Sequence, residues 1–560
     1  MNLSTVYANA LHEQLHELFT LEDIVSLIER PKNKQHGDLA FPCFQLAKQY
    51  RQSPSDIAKQ LSGAVKGTLI DQTEAIGPYV NVFFRKKEVS KKVLTKVMIE
   101  GNDYGSVKND KGVVSIDFSS PNIAKPFSMG HLRSTVIGQS LALLAQKNGY
   151  QPVKINHLGD WGTQFGKLMC AYTKWGSKEE VKSNPIPALM KLYVMFHEKA
   201  AQNPSLNDEG RAWFKSLEDG EAEAVQLWKW FKGESLKEFQ KVYDLLGVQF
   251  DRVQGESFYN DQMNEVVKEL EESGLLTESD GAEVVEVGED MPPCLIKKKD
   301  GTTLYATRDL AAAIYRKNTN HFHHALYIVG GEQELHFKQL FHVLKKMGFD
   351  WSSHLFHVPF GLILKDGKKM STRKGQIILL EEVLQEAVQK AKSNMEVKNP
   401  HLDDIDHVAK QVGTGAVIFH DLKNERLNSV EFNLDQMLTF EGETGPYVQY
   451  THARAQTILE RSVVEVVSTF DGLNDEHSWE VIKLLSEFPK EVQRAYAAFE
   501  PSIIAKYTIR LAQSFNSYYG KVKILDHDDQ VMNRLALTKS VTIVLKEGLR
   551  VLGVQAPPNM

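Results

Sequence analysis

Residues 113–148 constrain the fold more than any other stretch. They read VVSIDF (113–118), a Pro-rich turn SSPNIAKPFSMGH (119–131), and an apolar-periodic run that ends near Gly149. A strand, a sharp turn and a helix make the unit from which parallel sheets are built. The alternation continues with PVKINHL (152–158) and a helix from about Trp161. Later come ALYIVGG (325–331), a helix over 334–347 and HLFHVPFG (354–361). This predicts a parallel sheet covered by helices.

Elements of other kinds flank that core. Residues 5–28 and 55–65 read as amphipathic helices and YVNVFF (79–84) as a strand, so the first 100 residues predict a small α+β domain. GNDYGSVKNDKG (101–112) has the composition of a linker. A polar, helical stretch over about 175–290 is too long for a loop and predicts an insertion in the α/β domain. Beyond 400 the strand signal fades, and helical patterns at 405–424, 445–463, 476–499, 501–520 and 530–552 predict an α-helical bundle. A length of 560 residues fits this plan of about three or four domains.

Bulk properties exclude other classes. No apolar run approaches the length of a membrane span, and MNLSTVYANALHEQLHELF lacks the basic and apolar regions of a secretory signal. Three cysteines lie far apart without a CxxC, which predicts a reducing compartment, a cytoplasmic location and no cysteine-based zinc site. A net charge of −6 leaves any nucleic-acid contact to local basic patches.

The turn is where the chemistry concentrates. Helix N-termini attract anions, yet the chain has neither GxGxxG nor GxxxxGK[ST]. Gly130 admits a ligand close to the backbone, His131 can donate to phosphate or ribose oxygens, and Lys125 and Arg133 add charge. Pro121 and Pro126 restrict the turn. Taken alone, an ordinary βα turn with a solvent-facing histidine explains as much. A second feature changes that balance. KDGKKMSTRKGQ (365–376) carries Lys368, Lys369, Arg373 and Lys374 between Gly367 and Gly375, a basic loop suited to closing over a triphosphate.

The pair SMGH (128–131) and KMSTR (369–373) resembles the HIGH and KMSKS signatures of class I aminoacyl-tRNA synthetases. SSPNIAKP (119–126) with GHLRST (130–135), HLGDWGTQFGKL (157–168), LYATRDLAAA (304–313) and GPYVQYTHAR (445–454) narrow the resemblance to the arginyl-tRNA synthetase family. It runs from HGDLA (36–40) to Met560, and its motifs stand in the family's order. Two positions depart from the signatures: Ser128 replaces the first histidine and Thr372 the second lysine. Either Lys125 or Lys374 can supply the missing charge.

The resemblance implies a Rossmann-like catalytic domain over 101–400, an N-terminal domain over 1–100 that contacts tRNA, and an anticodon-binding helical domain over 401–560. It implies ATP as substrate with Mg²⁺, L-arginine and tRNA(Arg) as partners, no zinc and a monomer. His131, Ser128, Lys125, Lys369 and Lys374 become the catalytic candidates. Gly130, His336, Met370 and Ser371 join Ser128, His131 and Lys369 at ATP. For arginine the candidates are Asp117, Ser120, Pro121, Asn122, His131, Tyr305, Asp309 and Gln333. Tyr305 and Asp309, four apart, share a helix face, and a carboxylate matches a guanidinium in planar geometry. An ammonium does not fill that fork, at a cost of roughly 1–3 kcal/mol per lost partner, so lysine is rejected. Tyr447, Tyr450, Arg454 and Met560 become tRNA contacts, with His452 and the FNSYYGKVK patch (515–523) nearby.

Two rivals stand beside this. HEQLH (12–16) matches the HExxH zinc pattern, and HFHH (321–324) clusters histidines, though a solvated loop explains the latter as well. An RNA-binding relative without activation chemistry is the other, motivated by Ser128 and Thr372.

Overall fold

The computed structural model describes residues 2–288, 290–299, 305–369, 378–463 and 471–560. Met370, Ser371, Thr372, Arg373 and Lys374 lie outside the described residues, as does the side chain of Lys369.

A five-stranded parallel sheet forms the centre. Its order is Leu355–His357, His324–Tyr327, Val113–Asp117, Gln151–Asn156, Arg252–Val253. Val114 and Ile116 on one face of the middle strand and Ser115 and Asp117 on the other are all buried, as a strand covered on both faces requires. The chain fills one side of this strand first, then crosses to the other. The reversal falls between Val113–Asp117 and His324–Tyr327, where Asp117 pairs with Tyr327. Doubly wound sheets bind ligands outside the carboxyl ends of strands at this reversal. The Pro-rich turn leaves from that point, through a 3₁₀ turn Met129–His131 into the helix Leu132–Lys147.

The stretch 175–290 is less uniform than its composition predicts. Helices Lys178–Ser183, Pro185–Gln202, Ser205–Glu218 and Ala222–Leu246 occupy its first part. It then supplies the edge strand Arg252–Val253 to the central sheet and two strands, Leu276–Ser279 and Ala282–Val285, to a small antiparallel sheet completed by Cys294–Lys297. The edge strand is only two residues long, too short to show a period.

The N-terminal part folds as an antiparallel sheet, Leu39–Pro42, Tyr79–Phe84 and Ile70–Ile76 in spatial order, with helices Leu3–Leu15 and Pro54–Ala64. Asp38 of HGDLA receives hydrogen bonds from Phe84 N (3.0 Å) and from Trp479 Nε1 (2.7 Å), fastening this part to the helix Glu476–Ala497. The C-terminal part is the expected helical bundle, Ile405–Leu422, Gly445–Glu460, Glu476–Ala497, Ser502–Tyr519 and Val531–Val551.

The histidine motifs have structural surroundings. HEQLH lies at the end of the helix Leu3–Leu15, and among the described residues no three His, Cys, Asp or Glu side chains form a metal-binding group. HFHH is not simply a solvated loop. His324 is buried, shares a 2.6 Å hydrogen bond with Tyr496 of the helical bundle, and burial lowers its pKa to about 4.

Candidate active site

Backbone strain marks the Pro-rich turn. Ser119, Ser120 and Ala124 all have positive φ, at 71°, 48° and 59°. Such conformations persist only where surroundings over-determine them. Here Ser119 N donates to Ser134 Oγ (2.9 Å), Ser119 Oγ bonds Tyr243 (2.9 Å), and Ala124 N donates to Ser235 Oγ (2.9 Å). Tyr243 and Ser235 belong to the helix Ala222–Leu246, so the polar insertion braces the turn from below. HLGDWG braces it from the side: Ile123 N donates to Gly159 O and Gly159 N to Pro121 O, both 3.1 Å. A Cβ at Gly159 would stand 1.8 Å from Asn122 Oδ1, so only glycine admits this approach.

Ser128 and His131 face each other across the 3₁₀ turn. Ser128 N donates to His131 Nδ1 (3.2 Å), and Ser128 Oγ lies 3.3 Å from the same nitrogen. In the tautomer that accepts this bond, Nε2 carries the proton and is the donor. Burial lowers the His131 pKa, opposed by the Ser128 carbonyl and aided by Lys125, so the ring is neutral. Gly130 is exposed, and an added Cβ would meet only Ser128 Oγ at 3.5 Å, leaving the outer side open. Lys125 is half-buried without an ion pair among the described residues. Arg133 does not add charge to the turn: it points into the core, 1% exposed, with Asp421.

The chain brings the segment that follows the basic loop to this turn. Met129 N donates to Ile378 O (3.2 Å) and Leu380 N to Phe127 O (3.0 Å), so Ser128 pairs with Leu379 as a bridge. The loop's entry is the hairpin Ile363–Lys365 with Lys368–Lys369. Two stretches some 250 residues apart in sequence thus share backbone hydrogen bonds.

A carboxylate pocket adjoins them. Asp309 Oδ2 accepts from His336 Nε2 (2.7 Å), and His157 Nε2 lies 3.7 Å from Oδ1. Burial pushes this carboxyl up, but His336, His157 and Arg316 outweigh it and hold the group below its ordinary value. Tyr305 is 59% exposed, with its ring 5.1 Å from that of His336. It is a pocket wall, not a core tyrosine. Arg308 turns away from Asp309 toward Asn260 (3.2 Å) and Glu256, whose carboxyl burial lifts to about 7. Gln333 is exposed on the 3₁₀ turn Gly331–Gln333 before the helix of His336. Asp117 already has partners within the chain: Arg316 Nη1 lies 2.7 Å from its Oδ2, and Ser120 Oγ donates to Oδ1 (3.0 Å). Arg316 follows Asp309 by seven residues on the same helix face, a spacing that could have revealed it. His157 stood inside a quoted motif without a role.

The family model for class I tRNA synthetases (R), catalytic domain, matches residues 93–434. The chain belongs to the arginyl-tRNA synthetase family. The arginyl tRNA synthetase N-terminal domain model matches residues 5–84 and the DALR anticodon binding domain model residues 448–560. An arginine–tRNA ligase of an Exiguobacterium species is 59% identical over 561 residues, covering all of both chains. Arginine–tRNA ligase 2 of Bacillus anthracis is 57% identical over 564 residues, again covering all of both. A solved Thermus thermophilus arginyl-tRNA synthetase has the same fold, with a TM-score of 0.84 at 23% identity over 99% of each chain.

The synthetase has a second concave surface, a groove of about 770 Å³ in the helical bundle. Tyr450, Arg454 and Met560 line it. The Arg454 guanidinium lies over Tyr450 (4.8 Å) and over Tyr519 (5.3 Å), and Asn516 fixes it by a 2.6 Å hydrogen bond. Lys521 and Lys523 complete the rim. Tyr447 stands back, half-buried, its hydroxyl accepting from Asn516 (3.0 Å). His452 is 1% exposed and bonds Pro557 O, so it supports the tail and does not face the groove. Within FNSYYGKVK, Phe515 and Tyr518 are core residues, while Tyr519 was not singled out.

Proposed function

We infer that this chain is an arginine–tRNA ligase. It activates L-arginine with ATP to arginyl-adenylate and pyrophosphate, then transfers arginine to the 3′-terminal ribose of tRNA(Arg) for translation. Family membership over the whole length is the ground for this reading. The backbone bonds between the SMGH turn and the end of the basic loop supply its geometry.

No enzyme nucleophile is required. The reaction needs the arginine carboxylate aligned on the α-phosphate, and charge held as pyrophosphate leaves. Neutral His131, with Nε2–H, and Ser128 meet the phosphates from the turn, and Gly130 lets them approach. Lys369, Met370, Ser371 and Lys374 of the loop are assigned to the same phosphates, and Lys125 of the turn or Lys374 supplies the charge that Thr372 lacks. Mg²⁺ enters on the triphosphate as part of the substrate.

Asp309 receives the substrate guanidinium, with Tyr305 as the wall and Gln333 at the rim. Asn122 and Ser120 meet the backbone end of the amino acid, and His336 orients Asp309 beside the adenosine. Asp117 with Pro121 shapes the floor, its charge already met by Arg316. The groove of Tyr450, Arg454 and Met560, with Tyr447 behind, receives unstacked anticodon bases, for which aromatic and guanidinium faces are suited. The segment 1–100 meets the body of the tRNA, 101–400 performs the chemistry and 401–560 reads the anticodon.

A monomeric cytoplasmic enzyme fits three free, buried cysteines. The test is arginine-dependent ATP–pyrophosphate exchange with and without tRNA, with lysine and glutamate as controls. Exchange with arginine alone supports the reading. A folded protein that binds tRNA but exchanges nothing refutes it in favour of an RNA-binding relative.

A further inference from the structure

Arg133, two residues after His131, has no role in the chemistry above, yet it is among the largest fully buried side chains. Its Nε lies 3.0 Å from Asp421 Oδ1, in the last turn of the helix Ile405–Leu422, and both side chains are all but sealed from solvent. Its Nη1 donates to Asn428 O at 2.7 Å. Its guanidinium carbon lies 6.0 Å from the Phe360 ring. One side chain therefore touches three segments.

Those segments form the base of the basic loop. Phe360 and Gly361 lead into the strand Ile363–Lys365, and Asn428 leads into Val430–Glu431, which pairs with that strand in parallel. Gly361 N donates to Arg426 O and Val430 N to Leu362 O, both 2.8 Å. A Cβ at Gly361 would lie 2.6 Å from Asn428 O, so the two segments meet backbone to backbone. The far end of the loop is already bound to Phe127 and Met129.

We propose that Arg133, held by Asp421, is a positioning residue for arginine activation: it fixes the base of the basic-loop hairpin against the turn that carries Ser128 and His131. The two phosphate-gripping elements come from distant sequence and need one distance between them. The guanidinium sets it, because one rigid planar group meets two partners at once: it pairs with the Asp421 carboxylate, 3.0 Å from Nε, and donates from Nη1 to the Asn428 carbonyl. Stability alone is a weak reason for this pair, since apolar residues of equal volume commonly serve a core as well. Asp421 keeps the fork from rotating. The middle of the helix Ile405–Leu422 touches the groove helix, where a Cβ at Gly415 would lie 2.9 Å from Gln449 Nε2.

This inference rests on the activation reading, which the wild-type exchange reaction tests separately. The variants are Arg133→Lys and Asp421→Asn, each assayed for pyrophosphate exchange, tRNA binding, and limited tryptic cleavage within 365–376. Arg133→Lys keeps the charge but not the fork, so exchange kcat should fall between about tenfold and hundredfold, with KM for ATP raised. KM for arginine and the tRNA dissociation constant should stay within about twofold of wild type, as for sites whose own contacts are intact. Removing the counter-charge or the fork from so buried a pair lowers the thermal midpoint, so cleavage is read well below it, where each variant is folded; there, cleavage within 365–376 should accelerate in both variants while cleavage elsewhere does not. Asp421→Asn, which preserves shape, should lose less activity and decides the matter if Arg133→Lys does not fold. Wild-type exchange and loop cleavage in a folded variant would overturn the proposal. So would equal losses in ATP, arginine and tRNA binding, which mark general disorder.

Discussion

Arg316 and Asp117 form a buried ion pair, 2.7 Å from Nη1 to Oδ2, at the carboxyl end of the central strand. The chain therefore supplies its own guanidinium to Asp117, one of the two carboxylates proposed for the arginine site. Asp309, which accepts from His336 Nε2 at 2.7 Å and lies 3.7 Å from His157 Nε2, is the carboxylate proposed for the substrate guanidinium. Asp117 already has a cationic partner in Arg316, which leaves Asp309 as the better match for a further guanidinium in that proposal.

Asp309→Asn should therefore cost arginine recognition far more than ATP recognition. Losing a charge-assisted contact is worth about 1.5–3 kcal/mol, or roughly a 10- to 100-fold fall in kcat/KM for arginine. Exchange kinetics with each substrate varied in turn check this. An unchanged arginine KM would remove Asp309 from the pocket.

Asp117→Asn should act through stability first. It leaves Arg316 buried beside Tyr259 and Tyr327 without its counter-charge, and breaking such a pair costs about 3–5 kcal/mol. Urea unfolding measures this, and the arginine KM should move less than in Asp309→Asn.

Gly159→Ala should disrupt the turn without touching any reacting group. The new methyl collides with Asn122 Oδ1, and overpacking of this kind costs about 1–3 kcal/mol. Activity should fall more than stability, because Asn122 is the group displaced. A wild-type kcat at the wild-type melting temperature would refute it.

Acid should weaken the junction between the sheet and the helical bundle. Burial holds His324 and His452 at about 4, against 6.5 in the unfolded chain. Above 6.5 both states are neutral and nothing is lost. Between 6.5 and 4 the unfolded chain binds protons that the folded one refuses, so stability is lost as the pH drops through this range, by up to roughly 3 kcal/mol per group. Urea midpoints from pH 7 to 4.5 report the slope, and His324→Gln should flatten it.

Arg454→Lys should weaken tRNA binding while sparing arginine and ATP. A lysine keeps the charge but cannot stack between Tyr450 and Tyr519, and a stacking contact is worth about 1–3 kcal/mol. Filter binding of total tRNA at fixed salt reads the loss. An effect that disappears at low salt would point to charge and not stacking.

Local chemistry made much of this legible from sequence. Alternating strand and helix patterns placed the strands Val113–Asp117, Gln151–Asn156, His324–Tyr327 and Leu355–His357 and the helices of the C-terminal bundle, because each pattern reports which face a residue buries. The SMGH turn and the basic loop could be singled out by residue type, and Tyr305 with Asp309 by helical spacing. Pairing across the fold could not be read that way. Nothing in the order of residues says that Arg133 turns inward to Asp421 or that Arg316 occupies Asp117. Nor does it say that His324 meets Tyr496, or that Tyr519 and not Tyr518 reaches the groove. A charged side chain is solvated or buried according to the partner that arrives from a distant segment, and the energy of burial depends on that partner. Sequence determined the elements and their chemical inventory; the tertiary structure decided which charges were spent on holding the fold and which remained for substrate.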